Sequence, residues 1–260
     1  MRIAVFGGSF NPVHNGHIEL AKAVHELAGY DKVLFVPAYH SPFKDMPTGA
    51  TDDDRVRMLE LALVGFPWAS IEDCELKRGG MSYTYDTIEY LERKYTASGE
   101  FDKKCDGKLG LVIGTDLVAG FEKWYRAEEL ATKVDIILAR RTVTETPDSG
   151  EGCDNPYEAA APKNVATLPF AHIELQNPYV DVSSSEIRDA VLEAAGSTKA
   201  AGDGEESARN VKKAYGNTAD RAKGAKSSKD AKKSATRRKK LLALVPESVC
   251  DYILERRLYE

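Results

Sequence analysis

The sequence predicts an α/β protein, a parallel sheet wound in two directions with helices on both faces, interrupted near the C-terminus by a basic insertion. Three observations predict it. Short apolar runs alternate with amphipathic stretches along most of the first 195 residues. Several runs are almost continuously apolar, as in strands buried on both faces. The first run ends in two glycines followed directly by a helical pattern, the order strand, loop, helix.

Taken in order, Ile3-Ala4-Val5-Phe6 reads as a short buried strand. Ile18, Ala21, Val24, Leu27 and Ala28 then recur at helical spacing until Gly29 supplies a stop. Val33 to Val36 gives a second strand ended by Pro37, followed by a loop with Pro42 and Pro47. Thr51 and the acidic run Asp52 to Asp54 open a helix carrying Val56, Leu59, Leu61 and Leu63. The alternation continues with a strand from about Ala69 to Leu76, a helix from Thr84 to Tyr95, a strand from Leu109 to Ile113, a helical stretch through Ala127 to Ala131, and a strand from Val134 to Ala139. Residues 150–163 lack periodicity and read as loop, and 165–182 as short extended pieces. Ser183 to Ala195 and Pro246 to Arg257 are the last helices, with Pro246 suited to a first helical position. The whole is a Rossmann-like, doubly wound fold. Ligands of such sheets bind outside the carboxyl ends of the strands, which points to the loops after Phe6, Val36, Ile113 and Ala139.

At 260 residues, 42% hydrophobic and 30% charged, the chain is long enough for a sizeable core and is read as one domain over 1–260. The net charge of −5 conceals an uneven distribution: residues 207–240 hold 13 Lys and Arg against 2 Asp and Glu, a local +11 that leaves −16 elsewhere. In that stretch Val211 and Tyr215 are the only large apolar residues. It has little to bury, and 197–240 is expected to be an exposed, low-complexity insertion, partly helical at best. With one aromatic it carries no base-stacking pattern, so nucleic-acid binding is disfavoured. No run approaches the roughly 18 apolar residues of a membrane span, and the glycines arrive too soon for a signal-peptide core. A cytoplasmic protein that does not engage membranes is therefore expected. The cysteines at 74, 105, 153 and 250 have no metal-ligand spacing and read as independent thiols, with no protein-held metal.

The most informative string is Gly7-Gly8-Ser9-Phe10-Asn11-Pro12-Val13-His14-Asn15-Gly16-His17. It lacks the lysine of a phosphate-binding Walker loop and the spacing of the dinucleotide fingerprint. Gly7 and Gly8 let bare N–H groups approach an anion, and Gly16 leaves room for a phosphate. His14 and His17, three residues apart at a helix start, project into the same space, where the helix N-terminus favours negative charge.

This string resembles the HxGH signature of nucleotidyltransferases, and in particular the nicotinate-mononucleotide adenylyltransferases. Further strings match that family in order: Arg55 with Met58-Leu59-Glu60-Leu61-Ala62, Glu75-Leu76-Lys77-Arg78 with Ser82-Tyr83-Thr84, Ile113-Gly114-Thr115-Asp116, Trp124-Tyr125, Arg140-Arg141, Val182 to Arg188, and Arg257-Leu258-Tyr259. Two features depart from it. Ser41-Pro42-Phe43-Lys44 keeps a base but has Phe43 where family members often carry His, and the insertion has no counterpart.

The resemblance implies transfer of an adenylyl group from ATP to nicotinate mononucleotide, with pyrophosphate released and Mg²⁺ carried on the substrate phosphates. It implies His14, His17, Lys44 and Arg188 as catalytic residues and Gly7, Gly8, Ser9, Phe10, Gly16, Ser183, Ser184 and Ser185 around ATP. Ser183 and Glu186 also match a helix capping box. For the mononucleotide it implies Trp124 against the cationic pyridine ring, main-chain donors near Thr84 and Tyr125 for the carboxylate, Asp116 for a ribose hydroxyl, and Arg141 as an auxiliary. Alternatives are a related transferase acting on nicotinamide mononucleotide, phosphopantetheine or an alcohol phosphate, or a nucleotide-binding regulator without turnover. Trp124-Tyr125 argues against the phosphopantetheine branch, and both histidines with Arg188 against the regulator.

Overall fold

The computed structural model describes residues 1–43, 48–140, 168–177, 182–195 and 236–260. Six strands form one sheet: β1 (Ile3–Gly8), β2 (Lys32–Pro37), β3 (Ala69–Ile71), β4 (Gly110–Gly114), β5 (Asp135–Ala139) and β6 (His172–Leu175). Every pairing is parallel and the order is β3-β2-β1-β4-β5-β6. The winding reverses between β1 and β4, so a crevice opens there at the carboxyl ends of the strands.

The period-two alternation of each strand divides the core in two. Ala4 and Phe6 of β1, Val33 and Phe35 of β2 and Ile137 of β5 point to one face. They meet α1 (Asn15–Glu26), α2 (Asp52–Ala62), α7 (Ser184–Ala195) and α9 (Glu247–Arg256) through Ile18, Val24, Met58, Leu59, Val191, Val249 and Ile253. Ile3, Val5, Leu34, Val36, Leu111, Ile113, Ile136 and Leu138 point to the other. There they meet α4 (Thr84–Ala97), a 3₁₀ segment (Thr115–Lys123) and α6 (Ala127–Lys133) through Ile88, Leu91, Phe121 and Leu130. Burial on both faces is why these strands carry apolar side chains at successive positions. Gly110 marks a close approach, since a Cβ there would lie 2.7 Å from the Tyr30 ring.

Three expectations change. The third strand stops at Ile71, and Cys74–Arg78 forms a short helix, α3, with Lys77 N–H on the Asp73 carbonyl and Gly79 at φ 66 ending it. Glu75 is buried there because it accepts a hydrogen bond from Thr87 Oγ1 at 2.6 Å, a partner that no local pattern discloses. Pro246 caps α9 with an extended backbone and is not its first helical residue. The last residues of the predicted insertion also belong to the folded domain: 236–242 are helical (α8). Arg237 pairs with Glu260, Arg238 with Glu247 and Asp251, and Lys240 with Glu193. Leu241 just beyond is fully buried. Short helices Lys103–Asp106 (α5) and α3 were not expected. Lys44, Arg141, the loop 150–163 and residues 197–235 lie outside the described residues.

Among the described residues Cys74 and Cys250 are free and buried, no group of three or more His, Cys, Asp or Glu is placed to hold a metal ion, and no helix is long and apolar enough to cross a membrane.

Candidate active site

β1 delivers its glycine pair to the mouth of the crevice. Gly7 is exposed with open space where a side chain would stand, whereas a Cβ on Gly8 would come 3.1 Å from the Phe10 ring. The second glycine therefore makes room for Phe10, which is fully buried at φ 46 and packs on Phe6, Phe35 and His17 with ring centroids 5.6, 5.5 and 5.0 Å away. Phe10 is the floor on which the histidine ring rests.

His14 caps α1 and His17 lies in its first turn. Their rings stand 3.6 Å apart at 31°, and they are only 2% and 5% exposed. His17 Nδ1 accepts a hydrogen bond from the His14 N–H at 3.3 Å, which places the ring proton on Nε2. A helix N-terminus with an imidazole N–H fixed beside it is a donor site for an anion.

The loop between β1 and α1 is tied down from behind. Arg55 of α2, 1% exposed, donates to the Ser9 carbonyl at 2.7 Å and to Asp52 at 2.6 Å. Arg188 of α7 donates to the Asn11 carbonyl at 2.7 Å and to Ser185 Oγ at 2.9 Å. Ser184 donates to the Pro12 carbonyl at 2.9 Å and the Tyr259 hydroxyl to Asn11 Oδ1 at 2.7 Å. Burial pushes the Tyr259 phenol well up, so it stays a donor, and burial pulls the Arg188 guanidinium down from its ordinary value. Asn15 N–H meets the Leu244 carbonyl at 3.0 Å, fixing the start of α1 against the turn after α8. Ser183 Oγ accepts from the Glu186 N–H at 3.1 Å, so the start of α7 is capped.

A second group gathers on the other side of the crevice. Ser82, just before α4, receives the N–H groups of Tyr39 and His40 on its hydroxyl at 3.0 and 3.3 Å and returns its own N–H to the His40 carbonyl at 2.8 Å. The loop after β2 is thereby bound to the Ser82-Tyr83-Thr84 string. Tyr83 packs on Tyr125 with centroids 4.7 Å apart. Trp124, half-buried at the end of the 3₁₀ segment, rests on Phe121 at 5.1 Å and faces Phe43 at 6.4 Å. Thr84 opens α4, and Asp116 is exposed on the 3₁₀ segment directly after β4. Beneath them Glu75 accepts from Thr87, and burial raises its carboxyl above the usual range despite hydrogen bonds from Thr87 and Ser82 and the nearby cations Arg78 and Arg55.

The structure thus joins His14, His17, Phe10, Ser184, Ser185 and Arg188 in one packed unit, and the strings of Thr84, Trp124 and Tyr125 in another. Sequence reasoning gave no role to Arg55, Asn11, Ser82 or Tyr259. All four stand in the strings that match the family, but each acts through a partner in a distant segment, Tyr259 across 248 positions, so spacing along the chain does not disclose what they do.

A cytidylyltransferase-like family model matches residues 5–190. A "Probable nicotinate-nucleotide adenylyltransferase" of Treponema pallidum is 41% identical over 191 residues, 74% of this chain and 87% of that protein. One of the same name from Borreliella afzelii is 36% identical over 191 residues, 74% of this chain and 84% of the relative. Among solved structures, Plasmodium falciparum nicotinic acid mononucleotide adenylyltransferase complexed with NaAD superposes with a TM-score of 0.56 at 16% identity, over 99% of this chain and 97% of that one, a likeness of fold. The histidine string at the switch point, the doubly wound sheet and these identities agree: the chain belongs to the nicotinate-nucleotide adenylyltransferase family of cytidylyltransferase-like nucleotidyltransferases.

Proposed function

We infer that the crevice between β1 and β4 is an adenylyl-transfer site, and that the protein is a nicotinate-nucleotide adenylyltransferase of NAD biosynthesis, converting ATP and nicotinate mononucleotide to nicotinate adenine dinucleotide and pyrophosphate. The observation that carries this reading is the His14–His17 pair stacked at the N-terminus of α1, in a chain 41% identical to a family member.

The chemistry asks little of the protein in proton transfer. The attacking group is a phosphate monoester with a second pKa of about 6, dianionic at neutral pH. Its oxygen forms a bond to the α-phosphorus of ATP while the bond to the pyrophosphate oxygen breaks. No general base is needed, and catalysis consists of bringing two anions together and stabilising charge as it moves. His17 Nε2–H serves the α-phosphate and His14 stands beside it. Arg188 has five N–H donors and commits only two to Asn11 and Ser185, so its remaining donors serve the phosphates together with the hydroxyl-rich start of α7. Gly7, Ser9 and Gly16 border the same space, and Lys44 adds a cation from the loop after β2. The divalent ion, Mg²⁺ in this proposal, arrives on the triphosphate as part of the substrate, with its charge offsetting that of the phosphates.

On the acceptor side Trp124 supports the pyridinium ring. Main-chain donors near Thr84 and Tyr125 meet its carboxylate, Asp116 a ribose hydroxyl, and Arg141 assists from the loop after β5. The test is pyrophosphate release from ATP with nicotinate mononucleotide, nicotinamide mononucleotide and phosphopantetheine supplied in turn. The reading expects the nicotinate compound to be used best. No release with either pyridine mononucleotide would overturn it.

A further inference from the structure

The mouth of the crevice beside Trp124 is lined by apolar surface that the folded chain leaves uncovered. Phe43 is 53% exposed and Tyr125 48% exposed, with Tyr39 and Met81 nearly as open. Phe43 faces Trp124, and Tyr125, next in the chain, packs on Tyr83, so exposed aromatic surface gathers around the indole. The segments are held in place. Ser82 fixes the backbone of 39–40 by three hydrogen bonds, Ser41 Oγ accepts from the Phe43 N–H at 3.3 Å, and Phe121 backs Trp124. The Phe43 ring is turned nearly parallel to the indole, at 28°, with centroids 6.4 Å apart. That separation lies toward the long end of the range for aromatic pairs, and is longer than the 5.1 Å at which Trp124 meets Phe121.

A flat cation is the ligand whose chemistry suits two near-parallel aromatic faces, one fixed and one exposed. Cation–π attraction acts within about 6 Å of each ring centroid and strengthens as water is excluded. We propose that Phe43 is a specificity-determining residue, drawing back slightly from Trp124 to admit the pyridinium ring of the acceptor mononucleotide and covering it from the side opposite the indole. The proposal rests on the reading of the site as a mononucleotide site. It gives Phe43 a role distinct from phosphate binding, since a phenyl ring offers a phosphate no donor.

The experiment is steady-state kinetics on Phe43→Ala, Phe43→Leu and Phe43→Tyr, with each substrate varied in turn, and titration of nicotinate mononucleotide alone followed by tryptophan fluorescence. Phe43→Ala should raise KM for the mononucleotide by about 5- to 30-fold and weaken its binding in the titration to match, the range expected of a desolvated cation–π contact. KM for ATP and kcat at saturation should move by less than about twofold. Phe43→Tyr should behave as the parent. Phe43→Leu, which keeps apolar area without a π face, should recover only part of the loss. An unchanged mononucleotide KM, an equal rise for both substrates, or full recovery by leucine would overturn the role given to Phe43. Failure of the parent protein to release pyrophosphate with either pyridine mononucleotide would instead remove the reading beneath it, so the two failures are told apart by the parent's own activity.

Discussion

The two sides of the crevice are built to different standards. On the side proposed for the phosphates the loop from Ser9 to Pro12 receives four side-chain donors at 2.7 to 2.9 Å, from α2, α7 and the last turn of the chain. On the side proposed for the pyridine the side chains meet ring on ring at 4.7 to 6.4 Å, and apart from Phe121 they are half-buried or exposed. The difference matches what the proposed reaction asks of each side. Donors that stabilise a phosphate in the transition state act by preorganisation, and a displacement of about 1 Å is costly. An aromatic face on a planar cation tolerates sliding, so exact placement of each ring matters less there. Under the proposed function, one side is suited to rate and the other to acceptor choice.

The largest effect that would break this contrast concerns His17. His17→Ala should lower kcat by at least about 100-fold, the usual cost of removing one preorganised donor to a developing phosphate charge, while the protein stays folded. Retention of more than half the activity would remove His17 from the chemistry. Trp124→Ala sharpens the other half. KM for the mononucleotide should rise by about 10-fold or more with KM for ATP nearly constant, and equal losses for both would make Trp124 a packing residue only.

A smaller effect separates positioning from contact. Tyr259→Phe removes only the hydroxyl that donates to Asn11 Oδ1. It should cost about 1 kcal/mol of stability and lower kcat several-fold without changing KM for the mononucleotide. A loss of stability with no change in kcat would show that the histidines do not depend on this tie.

The smallest effect is on acid stability, and it tests the frame behind the loop. Burial alone would raise the carboxyl of Asp54. The Thr51 backbone and hydroxyl, the Tyr252 hydroxyl and the Arg256 cation outweigh that and hold it below the ordinary aspartate value. A carboxylate depressed in the folded state contributes stability above its unfolded pKa of about 3.9, and this is lost as pH falls through the lower folded value. Asp54→Asn should therefore flatten the acid limb of a melting-temperature profile below about pH 4. It should also lower stability at neutral pH by about 1 kcal/mol or more, because α9, which leads into Tyr259, loses its grip on α2. An unchanged acid limb would place the charge dependence elsewhere.

The sequence by itself determined the sheet, its winding and the place of the crevice. Buried parallel strands require apolar side chains at successive positions, and a strand that turns into a helix over a ligand requires glycines and a helix start, all of them local demands visible within a few residues. The histidine pair was legible for the same reason, since three positions on one helix turn fix their proximity. Only the tertiary structure decided what holds the loop and what ends the basic insertion. Ser9, Asn11 and Pro12 are held by residues from 46 to 248 positions away. Arg237, Arg238 and Lys240 of α8 pair with Glu193, Glu247, Asp251 and Glu260, which the fold brings beside them. Composition measures how much a segment can bury by itself. It does not register the partners that a closed chain brings to it, and hydrogen bonds and ion pairs between distant segments leave no periodicity to read.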